Sequence, residues 1–123
     1  MNIEIKPFGF EKLDVWKKSR ELVRSIYTLT DQFPKHEKYS LSNQIQRSVV
    51  SIPSNIAEGT SRHSKKDFAR FIEISYGSLT ETLNHLYLSL DLGYIKQESL
   101  NEIKPVIYEI ATKLSALRRY LNS

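Results

Sequence analysis

The chain has no cysteine. That absence removes disulfide frameworks, thiol catalysis and thiolate-bound zinc. Only four glycines and four prolines occur in 123 residues, too few for a loop-rich β protein. No apolar run approaches the ~18 residues that would mark a membrane span. The N-terminus also lacks the apolar core of a secretory signal, so a cytoplasmic protein with no membrane partner is expected. Blocks of one charge are missing as well. Lysine plus arginine number 18 against 14 aspartate plus glutamate, a net +4 with a pI near 9.3. Through Arg62 the chain holds ten basic and seven acidic residues, and beyond it eight and seven. The excess is spread, which permits weak polyanion affinity but argues against dense binding to duplex DNA. At 14.3 kDa and 40% hydrophobic residues, the chain fits one ordinary folded domain.

What is present is helical periodicity. Leu100, Ile103, Ile107, Ile110, Leu114, Leu117 and Leu121 step alternately by three and four residues, a heptad-like seam that an α-helix places on one face. Pro105 lies inside it and predicts a kink or a short leading segment, because proline lacks the backbone donor and clashes with the preceding turn. A first helix is predicted from Glu11 to Phe33, stopped by Pro34, with Val15, Ser19, Leu22, Ile26, Leu29 and Phe33 as its seam. Ser40 suits the N-cap of a second helix that turns Leu41, Ile45, Val49, Ile52 and Ile56 inward. That helix should bend at Pro53 and stop at Gly59. A third starts near Ser64, with Asp67 placed for an acidic capping box. Its core face is Phe68, Ile72, Ser75, Leu79, Leu83, Leu86 and Leu90, and Gly93 ends it. Four helices on short links predict an all-α fold, an antiparallel up-down-up-down four-helix bundle over residues 11–123, after an N-terminal extension over 1–10.

A bundle helix needs one apolar face, and two of these have more. Trp16, Val23 and Tyr27 run beside the first seam, rotated from it by about 100°. Ile74, Leu88 and Leu92 lie nearly opposite the core face of the third helix. Aligned apolar residues beyond what one core can hold mark a partner surface more often than scattered ones do. Self-association through these six residues is expected. A thicker monomer core, or a loop laid over the stripe, is the competing reading.

Catalysis finds little footing. His36, His63 and His85 are widely separated, and Glu81 with His85 makes half a site. No H-E-x-x-H, G-x-S-x-G, G-x-G-x-x-G or P-loop pattern occurs. A non-enzymatic protein with no metal and no cofactor is expected. Two features still need roles. On the second helix a polar row of Gln44, Ser48, Ser51, Asn55 and Glu58, with Arg47 beside it, borders the apolar face. Small serines suit close helix approach and amides suit a backbone interrupted at Pro53; ligand or partner contact is the alternative. Gly77-Ser78, with Glu81 beyond it, invites the same reading of close packing. Basic residues gather weakly in two places. Arg62, Lys65, Lys66 and Arg70 surround the start of the third helix, whose N-terminus adds positive potential. Lys113, Arg118 and Arg119 lie beside Tyr120. Basic groups next to an aromatic ring suit single-stranded nucleic acid, and a merely solvated face is the plain alternative.

Phe33-Pro34, Glu37, Tyr39-Ser40-Leu41, Gln44, Arg47, Ser51-Ile52-Pro53, Asn55-Ile56-Ala57-Glu58-Gly59, Gly77-Ser78 and Glu81 together resemble a known family. It is the family of four-helix-bundle proteins encoded in intervening sequences of 23S ribosomal RNA genes, related to the accessory protein of diversity-generating retroelements. The resemblance runs from about Phe10 to Leu121 and is most specific from Phe33 through Gly59. Ser75 stands where the family pattern has alanine. The resemblance implies a ring-shaped homopentamer with no established enzymatic activity. The retroelement relatives bind nucleic acid and a reverse transcriptase through a basic surface, which implies an RNA partner here or, alternatively, a scaffold role for a partner protein. Matching motifs that serve packing transfer fold better than function.

Overall fold

A computed structural model describes Ile3 and residues 6–123; residues 1, 2, 4 and 5 of the expected extension lie outside the described residues. Its α-helices are α1 (Asp14–Thr30), α2 (Leu41–Thr60), α3 (Lys65–Asp91) and α4 (Gln97–Asn122). Short 3-10 turns occupy Gly9–Lys12 and Lys35–Glu37, and no strand occurs among the described residues. Cross-helix contacts fix the directions. Ser48 meets Thr82 at 2.8 Å and Ser51 meets Ser78 at 2.8 Å, so α2 and α3 run antiparallel. Asp14 with Lys113 and Lys18 with Glu109 do the same for α1 and α4. Glu73 with Arg118, and Tyr87 with Lys104, do so for α3 and α4. No Cα of α1 comes within 8 Å of one in α3, so the two occupy diagonal corners of an up-down-up-down bundle.

All four seams meet inside. Leu22 and Ile26 from α1, Ile45, Val49, Ile52 and Ile56 from α2, Ile72 and Leu86 from α3, and Leu100, Ile110 and Leu114 from α4 are essentially inaccessible. Each such side chain contributes roughly 1.5–3 kcal/mol by leaving water. Phe68, Leu83, Leu90, Ile103 and Leu117 pack half-buried around that centre.

The boundaries depart from expectation where local geometry overrides periodicity. α1 begins at Asp14 instead of Glu11, because Leu13 is extended (ψ 122°) and the Phe8 amide donates to the Glu11 carboxylate at 2.7 Å, closing a separate turn. It stops at Thr30 instead of Phe33, where the amides of Gln32 and Phe33 donate three residues back in tight turns. α4 runs unbroken across Pro105, so no short leading segment forms. The carbonyl that Pro105 leaves without a donor belongs to exposed Asn101, where water reaches it. α2 likewise continues past Pro53. Ser54 Oγ donates to the Val50 carbonyl, Asn55 Nδ2 to the Ser51 carbonyl and Ser75 Oγ to the Ile52 carbonyl, around the turn that proline disturbs.

Three glycines take different roles. Gly59 does not stop α2, which continues through Thr60; a Cβ there would lie 2.9 Å from Phe68 and Phe71, so its hydrogen permits close approach to α3. Gly77 was expected to serve that purpose and does not, because a Cβ there meets nothing within 4 Å. Gly93 does end α3. Its φ of 77° lets the Tyr94 amide donate to the Ser89 carbonyl (2.9 Å) and its own to that of Leu90 (3.0 Å), a Schellman closure.

Candidate nucleic-acid interface

The polar row of α2 faces α3 and finds partners there. Besides the Ser48–Thr82 and Ser51–Ser78 hydroxyl pairs, Asn55 Nδ2 donates to Ser51 Oγ at 2.8 Å. Gln44, Arg47, Ser51, Ser78 and Glu81 line one open groove of about 440 Å³. Pro53 is buried and Gly59 packs below, while Glu58 reaches toward the end of the bundle. Behind Glu81 lies His85, whose Nε2 sits 3.3 Å from the Glu81 carboxylate and whose buried Nδ1 has no partner. The sequence pattern did not place Thr82, His85 and Ser89 inside, yet all three are buried. Polar residues carry no hydrophobic signal; the complementary row of serines on α2 was the available clue.

The two basic clusters come together. In this topology the start of α3 and the end of α4 occupy the same end of the bundle, and the Lys65 ammonium lies over the Tyr120 ring at 5.0 Å. Ser64 Oγ accepts from the Asp67 amide at 3.1 Å, fixing the first turn of α3 with Lys65 and Lys66 exposed. Arg62 is engaged locally, donating to Glu58 at 2.7 Å and stacking on Phe71 at 4.6 Å. Arg118 pairs with Glu73 at 3.1 Å and Lys113 with Asp14 at 2.7 Å. Lys66, Arg70 and Arg119 make no ion pair among the described residues. Ser115, Arg118, Arg119 and Asn122 line a shallow groove of about 530 Å³ at this end.

The start of α1 joins them. Cut at one level by the Lys18–Glu109, Tyr87–Lys104 and Ser48–Thr82 contacts, residues 9–22, 44–86 and 105–123 share this end and carry twelve lysines or arginines against eight acids; residues 23–43 and 87–104 at the other carry five against five. The net +4 is therefore a polarised charge, about +4 at one end and 0 at the other. Lys12, Lys17, Lys18 and Arg20 belong to the basic end although sequence clustering did not pick them out, because α1 meets α4 and α2 only through folding.

The six apolar candidates for self-association divide. Trp16 is half-buried, edge-on to Phe10 at 4.8 Å and beneath the Arg20 guanidinium at 4.8 Å, so the N-terminal turn partly covers it. Val23 is half-buried against the core. Tyr27 on α1, Ile74 and Leu88 on α3 and Leu92 just beyond its end remain exposed.

These features define a class: a small four-helix bundle whose distinguishing properties lie on its surfaces. Among the described residues no three potential metal ligands converge, and no helix is long and apolar enough to cross a membrane. The chain belongs to the 23S rRNA-intervening sequence protein family, whose model matches residues 11–116. It is also similar to a solved structure from Bacteroides thetaiotaomicron, a protein of unknown function from the S23 ribosomal protein family. The two are 30% identical, with 85% of this chain and 97% of that one covered and a TM-score of 0.76. No curated protein matches.

Proposed function

We propose that this protein is a non-catalytic, oligomeric bundle that binds RNA through its basic end. The observation that carries the proposal is the gathering of twelve basic residues at one end, eight of them without an ion pair among the described residues. Phosphate contacts from Lys65, Lys66, Arg70 and Arg119 supply affinity with little sequence reading, since backbone contacts do not distinguish bases. Arg62, Lys113 and Arg118 are already partnered and serve as a positive background. Assembly is supported by the exposure of Tyr27 on α1 and of Ile74 and Leu88 on α3, diagonal corners of the bundle. Two different patches facing apart make a head-to-tail contact, which closes into a ring when the rotation permits, in keeping with a homopentamer.

Titration of the protein with single-stranded RNA at several salt concentrations tests the RNA reading. With about five phosphates contacted, log affinity falls against log salt with a slope near −3.5. Joint substitution of Lys66→Glu, Arg70→Glu and Arg119→Glu reduces that slope by about 2 and weakens binding sharply. Absence of binding at about 50 mM salt overturns the proposal, because phosphate-driven affinity is strongest when salt is low.

A second reading, a scaffold for a partner protein, draws on exposed Leu88 and Leu92. It predicts capture of one protein that persists at high salt and survives the triple charge reversal.

A further inference from the structure

Six of the seven tyrosines are exposed, and three of them line one face. Lys104 on α4 holds its ammonium 5.4 Å from the Tyr87 ring and 5.6 Å from that of Tyr108, and both rings are about half accessible. The Tyr87 hydroxyl, then that of Tyr108, raises the Lys104 pKa above the ordinary lysine value, so the cation is retained throughout the physiological range. Arg118 pairs with Glu73 and Lys104 with Tyr87, two contacts with the same antiparallel register, which sets Tyr76 level with Ser115. Tyrosines 76, 87 and 108 and Lys104 therefore form a stripe along α3 and α4 that runs into the groove of Arg118 and Arg119. Ten residues of helix, about 15 Å, separate Tyr108 from Arg118.

We propose that this stripe is a track for single-stranded RNA, with Tyr87 and Tyr108 stacking on bases and Lys104 holding the phosphate between them. The proposal rests on RNA binding at the basic end and adds the strandedness of the ligand and its path. A lone basic surface does not discriminate between duplex and single strand. Exposed rings do, because a base must be unpaired to lie on them, and stacking tolerates any base. The cation between the rings gives the charge complementarity that an apolar protein partner would lack.

The test compares wild type with Tyr87→Leu/Tyr108→Leu and with Lys104→Gln, using decauridylate, a base-free ribose-phosphate polymer of equal length and an RNA duplex. Leucine keeps helix propensity and apolar bulk at these half-exposed sites, and matching urea unfolding midpoints would establish that both variants fold. The double tyrosine variant should bind decauridylate about 30- to 10⁴-fold more weakly with its salt slope unchanged, because stacking releases no counterions. Its affinity for duplex and for the base-free polymer should not move. Lys104→Gln should flatten the slope by about 0.7. If wild type binds decauridylate and the tyrosine variant binds it equally well, the track is wrong while the basic-end reading stands. If wild type binds none of the three probes, both fall.

Discussion

A methyl group built on Gly59 meets Phe71 Cβ and Phe68 Cδ1 at 2.9 Å. A Phe ring tip can swing away, but a Cβ moves only with its backbone, so α2 and α3 would have to separate. Gly59→Ala should therefore cost about 1–3 kcal/mol despite alanine's better helix propensity. Gly77→Ala meets open space and should gain about 0.5–1 kcal/mol. Urea unfolding of the two variants measures both, and equal signs would contradict the packing described here. The glycines stand out in the sequence as exceptions to helix propensity; which one faces a neighbour depends on how the helices are rotated and cannot be read from spacing alone. His85 poses a similar question. Its buried Nδ1 is left without a partner, at a typical cost of ~1–3 kcal/mol for an orphaned polar group. His85→Leu removes that group at similar volume, so stability should hold or rise by about 1 kcal/mol in the same assay. A loss above about 2 kcal/mol would mean that the Glu81 contact outweighs the orphan.

At the scale of helices, α1 and α4 close the bundle with the least extensive of its helix pairings, and ion pairs border that seam. Lys113 holds the Asp14 carboxyl below its ordinary value of 3.8, and Asp14 in turn raises Lys113 above 10.5. A depressed carboxyl stabilises the fold above its unfolded pKa, and that stability is lost as pH falls through the lower folded value. The raised lysine acts in the opposite sense, stabilising below 10.5 and losing effect as pH climbs through its folded value. Asp14→Asn should consequently lower the urea midpoint slightly at pH 7 and converge with wild type in acid, once the pH has fallen below the depressed folded value and Asp14 is protonated in both states. Curves that stay parallel into acid would rule out this linkage. Helix identity and direction were legible because Leu22, Ile45, Leu79 and Ile110 belong to long apolar seams. The inner side of α3 was legible in part: Ser75 was read on its core face, but Thr82 and Ser89 were not, since they bury hydroxyls satisfied only by hydrogen bonds made within α3 or across to α2. Pro105 misled for a related reason: its cost depends on whether water reaches the orphaned carbonyl, which only the packed arrangement decides.

For the molecule as a whole, up-down-up-down threading does what linear order conceals. Segments far apart in the chain, around Lys18, Lys66 and Arg119, arrive at one end, so an unremarkable composition becomes a polarised field. Head-to-tail contacts between Tyr27 on α1 of one copy and Leu88 on α3 of the next would repeat that end around a cyclic assembly, with every basic end on the same side. A long RNA touching several copies would then gain avidity, whereas a short oligonucleotide occupying one copy would not. Leu88→Asp with Leu92→Asp places carboxylates in the proposed contact and leaves the core untouched, because both leucines are exposed. Light scattering should report the mass of one chain for this variant and a multiple of it for wild type. Affinity for an RNA long enough to span the ring should fall about 10²-fold or more, while decauridylate keeps its affinity and salt slope. A single-chain variant that holds long RNA as tightly as wild type would show that one basic end suffices and that the ring, if it forms, serves another purpose.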